Sequence, residues 1–206
     1  MHLKRNEVPV EWPIERKGTK YVVSTNLRKG VPVLIALRNM LELAGTRKDV
    51  KEMIKLGKIK VNHKKINEES HPLALFDILS LENKNFKLEI KNGKFKLEET
   101  KDNDEKIAKI IGKKVLNNGK VQLNLSDGRN YIASEKANTG DSAIIDLKNS
   151  KIIKMVKMGE KSKIIFIAGK HLGEEGEIEK IENKTAVVRT KKGKVNAELN
   201  NLMVTK

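Results

Sequence analysis

The chain contains no cysteine, which excludes disulfides, thiolate zinc sites and a cysteine nucleophile together. Aromatic residues make up only 3% of its 206 residues, too few for base stacking on rows of rings to be a main binding mode. No apolar run approaches the roughly 20 residues that a membrane span needs. Met1 is followed directly by the basic His2-Leu3-Lys4-Arg5, without a signal-peptide core, so a soluble, intracellular protein with no membrane partner is expected. The four histidines, His2, His63, His71 and His171, are scattered, and none stands at zinc-hydrolase or deaminase spacing from another histidine or a carboxylate. The glycines at 169, 173 and 176 match neither phosphate-binding loop pattern. Acidic pairs such as Glu98-Glu99 and Glu174-Glu175 fall in polar loops, where carboxylates are ordinarily solvated. No metal, cofactor, catalytic residue or small-molecule substrate is therefore expected.

What is abundant is positive charge. Lys and Arg number 43 against 27 Asp and Glu, a formal net charge of +16, and such an excess makes a polyanion the leading partner. The excess is concentrated: residues 1–65 hold 16 basic and 6 acidic side chains. Its densest part is "GTRKDVKEMIKLGKIKVNHKKI", Gly45 to Ile66, with eight Lys or Arg and two acids, threaded by regularly spaced Val, Ile and Leu. A hydrophobic content of 38% is enough for compact cores.

Residues 1–29, with Pro9, Pro13 and Gly18, read as an extended basic arm that orders on its partner. Val31 to Ala44 places Leu34, Leu37, Met40, Leu41 and Ala44 at helical spacing, with Pro32 in the first turn and Gly45 as the stop. Thr46 is an N-cap with Asp49 in capping-box position, opening a second helix that runs to Leu56 and ends at Gly57. The period then becomes two: Ile59 and Val61 alternate with Lys58 and Lys60, and "VNHKKI" is a hairpin turn. A helix-helix-sheet unit over 30–92 follows. Residues 93–159 form a β-rich central domain, with Leu97 to Lys106 reading as linker and turns at Asn118-Gly119 and Asp127-Gly128. Residues 160–206 form a last small β domain whose glycines at 169, 173 and 176 serve backbone geometry.

The apolar residues of the helix-plus-hairpin unit leave Arg47, Lys48, Lys51, Lys55, Lys58, Lys60, Lys64 and Lys65 on one wet surface suited to phosphates. The start of the second helix, at Thr46 and Arg47, adds its partial positive dipole as an anion site. Arg38 extends the surface from the first helix, Lys4 and Arg5 from the arm, Asn62 and His63 from the hairpin turn, and Lys170 and His171 from the last domain. Eight neutralised phosphates imply a log-affinity against log-salt slope of roughly −6 to −7.

Several segments together resemble the S-four-e family of archaeal and eukaryotic small-subunit ribosomal proteins: "HLKR" before Trp12, the run from Val31 to Ile66, "NGKVQLNLSDGRN" at Asn118 to Asn130, and "IAGKHLGEEGEI" at Ile167 to Ile178. The second resembles the S-four RNA-binding fold and the last a KOW motif. The resemblance implies an α+β multidomain protein: an arm, an S-four fold of two helices plus a small sheet, a β-rich central domain and a small KOW β-barrel. It implies a non-enzymatic constituent of the cytoplasmic small ribosomal subunit that binds small-subunit ribosomal RNA and neighbouring ribosomal proteins. Two departures stand out. His63 follows Asn62 where the family generally has Gly, which makes a positive-φ turn costlier, and Glu175 replaces an apolar residue. The chain ends just past "NLMV" without a further basic tail, so fewer carboxy-terminal RNA contacts are expected. A pseudouridine synthase would need a nucleophilic Asp in an Arg-Leu-Asp context, and Asp127 lies instead in a turn-like "SDGRN". A free-standing RNA-binding factor, associated with ribosomes or transcription, is the second alternative.

Overall fold

The computed structural model describes residues 3–27, 29–82, 84–101, 104–133 and 137–205. His2, one of the four histidines, lies outside them. The chain divides into two compact units: residues up to 90 with 94–104, and residues from 105 onward with 91–93. Both are mostly β.

In the first unit, β1 (Leu3–Lys4) pairs antiparallel with β2 (Tyr21–Val22). The segment read as an unstructured arm therefore has structure of its own. Val8 and Trp12 are buried, and the guanidinium of Arg5 donates to the carbonyl oxygens of Thr19 (2.7 Å) and Glu15 (3.0 Å) and to the Thr19 hydroxyl (2.8 Å). Two buried side chains supply the core whose lack was expected to keep the segment disordered.

Strand β3 (Gly30–Pro32) pairs with β6 (Pro72–Ala74). The first helix is shorter than its apolar spacing predicts: α1 (Val33–Ile35) passes into a wide turn, Ala36–Met40, where Leu41 N donates to Ala36 O. Pro32 is extended rather than helical, and Glu42 takes a φ of 54°, so the chain has left the helix three residues before Gly45. Helix α2 (Arg47–Lys55) follows the sequence closely. Thr46 accepts from Asp49 N while Asp49 accepts from Thr46 N, and at the other end Gly57 N bonds Ile54 O and Lys58 N bonds Met53 O. That pair of bonds is a Schellman motif, with Gly57 supplying the positive φ.

Strands β4 (Ile59–Val61), β5 (Lys64–Lys65), β7 (Ile78–Leu81), β8 (Lys84–Lys91) and β9 (Lys94–Thr100) make one sheet in the order β5-β4-β7-β8-β9. Since β9 completes this sheet, the first unit extends past the boundary expected at 92/93. The stretch read as linker is filled from both sides by strands, because Phe95 and Ala108 are core residues at its flanks.

The second unit holds two antiparallel five-stranded sheets. One has the order β12-β11-β10-β13-β14, from β10 (Glu105–Val115), β11 (Val121–Leu125), β12 (Asn130–Ala133), β13 (Ser142–Asp146) and β14 (Lys151–Val156). Its core is Ala108, Ile110, Leu123, Leu125, Ala143 and Ile145. The other has the order β18-β17-β16-β15-β19, from β15 (Lys163–Phe166), β16 (Glu175–Glu182), β17 (Thr185–Thr190), β18 (Gly193–Glu198) and β19 (Leu202–Val204). Ile164, Phe166, Ile178, Val188, Leu202 and Val204 fill it.

Two buried lysines, unmarked in the sequence, tie this unit together. Lys106 is enclosed against Asp127 at 2.7 Å, and Lys109 donates to the carbonyl oxygens of Leu199 (2.7 Å), Asn200 (3.0 Å) and Leu202 (2.7 Å). A buried ammonium is tolerated only with such partners.

Gly169 and Gly173 adopt φ of 86° and 83°, while Gly176 is needed for a different reason. A Cβ there would lie 2.5 Å from Val188 Cγ1 and 2.7 Å from Arg189 O. Gly176→Ala is expected to destabilise the protein by about 2 kcal/mol through overpacking, measured by denaturant unfolding; an unchanged midpoint would show that β16 and β17 can spread.

Candidate nucleic-acid interface

The hairpin between β4 and β5 is a two-residue turn, because Val61 pairs directly with Lys64. Asn62 and His63 both have positive φ, 50° and 63°, the geometry of a type I′ turn. The turn keeps its tight form despite His63, and Asn62 supplies the reason. Its Nδ2 donates to Asp77 Oδ1 at 2.6 Å, its Oδ1 accepts from Ile78 N at 2.9 Å, and its own N–H donates to Ile78 O at 2.9 Å. Asp77 is held in turn by Ala74 N at 2.7 Å. Asn62 is thus 1% exposed, and its expected place among RNA-contacting residues is corrected: it is a buried lock for the turn. His63 is half-buried, with Nε2 3.6 Å from Asp104.

The eight basic residues expected on one surface separate into two sets. Arg47 donates through Nε at 2.6 Å, and also through Nη2, to Glu69 Oε1, with Lys51 4.0 Å from the same oxygen. The Glu69 hydrogen bond raises the pKa of Arg47 further. Lys58 pairs with Glu82 at 2.9 Å, which raises the lysine and lowers the carboxyl, first through the hydrogen bond and then through charge. Lys48, Lys55, Lys60, Lys64 and Lys65 are exposed and form no salt bridge among the described residues.

Within this second set, Lys60 stands directly opposite Lys65 in the β4–β5 pair. Like charges at that spacing destabilise a sheet, and no acid among the described residues pairs with either. Lys65 also reaches back to α2: its Nζ would lie 3.5 Å from a Cβ at Gly57. The end of the helix and the hairpin therefore share one cationic surface.

The start of α2 is less of an anion site than its dipole suggests. Asp49 already occupies it, its pKa lowered first by the Thr46 backbone N–H and then by the Thr46 hydroxyl, so Thr46 is spent on the cap. Arg38 is half-buried and donates to Asn39 Oδ1 at 3.2 Å. Lys4 is exposed, 3.9 Å from Glu7, while Arg5 is committed to Glu15 and Thr19.

In the second unit, Lys170 is exposed in the turn after β15, and His171 Nδ1 lies 3.0 Å from Glu174 Oε2 beside the Phe166 ring. Glu174 is also bound by Lys192, and Glu179 by Lys194 and Arg189. Lys192 first, then His171, hold the Glu174 carboxyl below its ordinary pKa, and Lys194 first, then Arg189, do the same for Glu179. The negative charge of Glu174 and Glu179 is thus partly neutralised from within. Among the described residues no cluster of His, Asp or Glu could hold a metal ion, and no helix is long and apolar enough to cross a membrane.

A β-rich protein with a lysine surface on a helix-hairpin module belongs to the class of polyanion-binding proteins. The comparisons narrow the class. Residues 36–79 match the S4 domain, and residues 82–152 match Ribosomal family S4e. Small ribosomal subunit protein eS4 of Methanococcus aeolicus is 34% identical over 200 residues, covering 89% of this chain and 82% of that protein. Its namesake in Methanocella arvoryzae is 34% identical over 206 residues, covering 93% and 88%. The fold is similar to the crystal structure of the 30S ribosomal protein S4e from Thermoplasma acidophilum, with TM-score 0.74, 22% identity, and coverage of 85% of this chain and 94% of that one. The chain belongs to the S4e family of ribosomal proteins.

Asn62→Ala removes two buried side-chain hydrogen bonds and places Ala at positive φ. It is expected to cost about 2–4 kcal/mol in denaturant unfolding; a loss under about 0.5 kcal/mol would show that the turn is held otherwise.

Proposed function

We propose that the chain is a structural, non-catalytic constituent of the cytoplasmic small ribosomal subunit, where it binds small-subunit ribosomal RNA and meets neighbouring ribosomal proteins. The observation that carries this reading is the uncompensated Lys60–Lys65 pair, in a hairpin held rigid by Asn62. Repulsion built into a rigid element is relieved when phosphate oxygens sit between the two ammonium groups. Family membership supplies the particle, and the S4 match falls on the same module. A free-standing RNA-binding factor finds no particular support.

The contacting residues are Lys48, Lys55, Lys60, Lys64 and Lys65, joined by Lys51, Lys58, Arg38 and Arg47 where RNA competes for their present partners, and by Lys4, His63, Lys170 and His171 at the margins. We read residues 160–206 as a KOW-type barrel, following a central β domain. The five strands around one core and the glycine-shaped turn between β15 and β16 support this.

With five unpaired lysines neutralising phosphates, log affinity for a small-subunit ribosomal RNA fragment should fall with log salt at a slope of roughly −3.5 to −4.5. That is shallower than the eight-phosphate expectation, because internal carboxylates hold Arg47, Lys51 and Lys58. Lys60→Ala and Lys65→Ala should each flatten the slope by about 0.7 to 0.9. A slope near zero, or one that neither substitution changes, would contradict the assignment of this surface.

A further inference from the structure

Beside the lysine surface, the loop 67–70 borders three cavities of the first unit, of about 330, 470 and 410 Å³. The largest is lined by Tyr21, Ser24, Arg38, Arg47, Glu69 and Ser70 among others, and its volume falls within the roughly 300–1,000 Å³ of small-ligand sites. Glu69 is 7% exposed. Its Oε1 takes Arg47, with Lys51 at 4.0 Å, while its Oε2 is buried with no hydrogen-bond partner among the described residues. A buried carboxylate oxygen without a donor is costly and calls for an explanation.

The Arg47 side chain is 62% exposed and that of Glu69 only 8%, so the guanidinium sits on the solvent side of the pair. An approaching phosphate competes for Arg47, but drawing it away strands a buried carboxylate, which is strongly unfavourable. The anion that succeeds must bring donors of its own. Guanine presents two adjacent donors, N1–H and N2–H, spaced to meet both oxygens of a carboxylate, whereas adenine, cytosine and uracil present one donor beside an acceptor. The cavity also has a stacking surface, since Tyr21 is the one exposed aromatic side chain among the described residues.

We propose that this cavity is a guanine-reading subsite of the RNA-binding surface, in which an unstacked guanosine places its ring on Tyr21, its donor edge on Glu69, and its phosphate on Arg47 and Arg38. The proposal rests on the RNA-binding reading above and adds a base preference to it. Glu69 then has two successive partners: Arg47 without RNA, and the guanine edge when Arg47 turns to phosphate. Its Oε2, covered in the free protein, takes the second donor once Arg47 has turned away.

The test is NMR titration of the ¹⁵N-labelled full chain with guanosine, adenosine, cytidine and uridine 5′-monophosphates and with inorganic phosphate, each to about 10 mM, a range that captures weak single-nucleotide affinities. Guanosine monophosphate should shift the amides of Tyr21, Glu69 and Ser70, and bind at least about fivefold tighter than the other three, a margin near that of one extra hydrogen bond. Glu69→Gln should abolish the preference and strengthen inorganic phosphate binding by releasing Arg47. Tyr21→Ala, at an exposed position that a fold should tolerate, should weaken guanosine monophosphate about tenfold. Equal binding of all four nucleotides, or no shift at these amides, overturns the proposal even if Glu69→Gln fails to fold. A parallel titration with the ribosomal RNA fragment separates the two levels. RNA binding without guanine preference removes the subsite alone, and absence of RNA binding removes the reading beneath it.

Discussion

The hydrogen bonds of Asn62 decide where the lysines point. A two-residue turn fixes the β4–β5 register, and a slip of one residue would exchange the buried Ile59 and Val61 for Lys60. The turn needs two consecutive residues at positive φ, and the second of them is His63. The side chain of Asn62, held by Asp77 and Ile78, compensates. The proposed RNA-binding surface thus depends on an uncharged residue with almost no exposure.

Charge in this protein is allocated rather than merely abundant. Three acids near the lysine surface are committed to partners within the chain. Asp49 caps α2, Glu69 holds Arg47, and Glu82 holds Lys58. The lysines these acids leave unpaired lie on the helix-hairpin module. In the second unit, basic side chains serve cohesion as well. Lys106 and Lys109 are interior, while Lys192, Lys194 and Arg189 hold the carboxylates of the last sheet. A count of positive residues therefore overstates the charge offered to a polyanion, most of all where a lysine shares the register of core positions, as Lys106 does with Ala108 and Ile110.

Features fixed by local chemistry were legible in the sequence: the Thr46–Asp49 box, the stop at Gly57, the switch to period two at Ile59, and the turn at Asp127-Gly128. The length of the first helix was not. Leu34, Leu37, Met40 and Leu41 satisfy helical spacing, yet the wide turn at Ala36–Met40 and the positive φ of Glu42 redirect the chain. The ordered amino-terminal segment was also hidden, because its buried Val8 and Trp12 form no periodic pattern and a residue distant in sequence anchors it, Phe95 N donating to Glu11 O. The same distance concealed the site partners. Glu69 lies 22 residues from Arg47, and Asp77 lies 15 from Asn62. The one available signal was an acid or amide beside a basic run, which does not reveal whether the side chain is buried.

On the proposed function, the helix-hairpin lysines face ribosomal RNA within the small subunit. Acetylation footprinting addresses it directly, by comparing lysine reactivity in the free protein and in salt-washed small subunits by mass spectrometry. Lys55, Lys60, Lys64 and Lys65 should react readily when free and be protected in the particle. Equal reactivity of these four lysines in both states, in subunits that retain the chain, would contradict it.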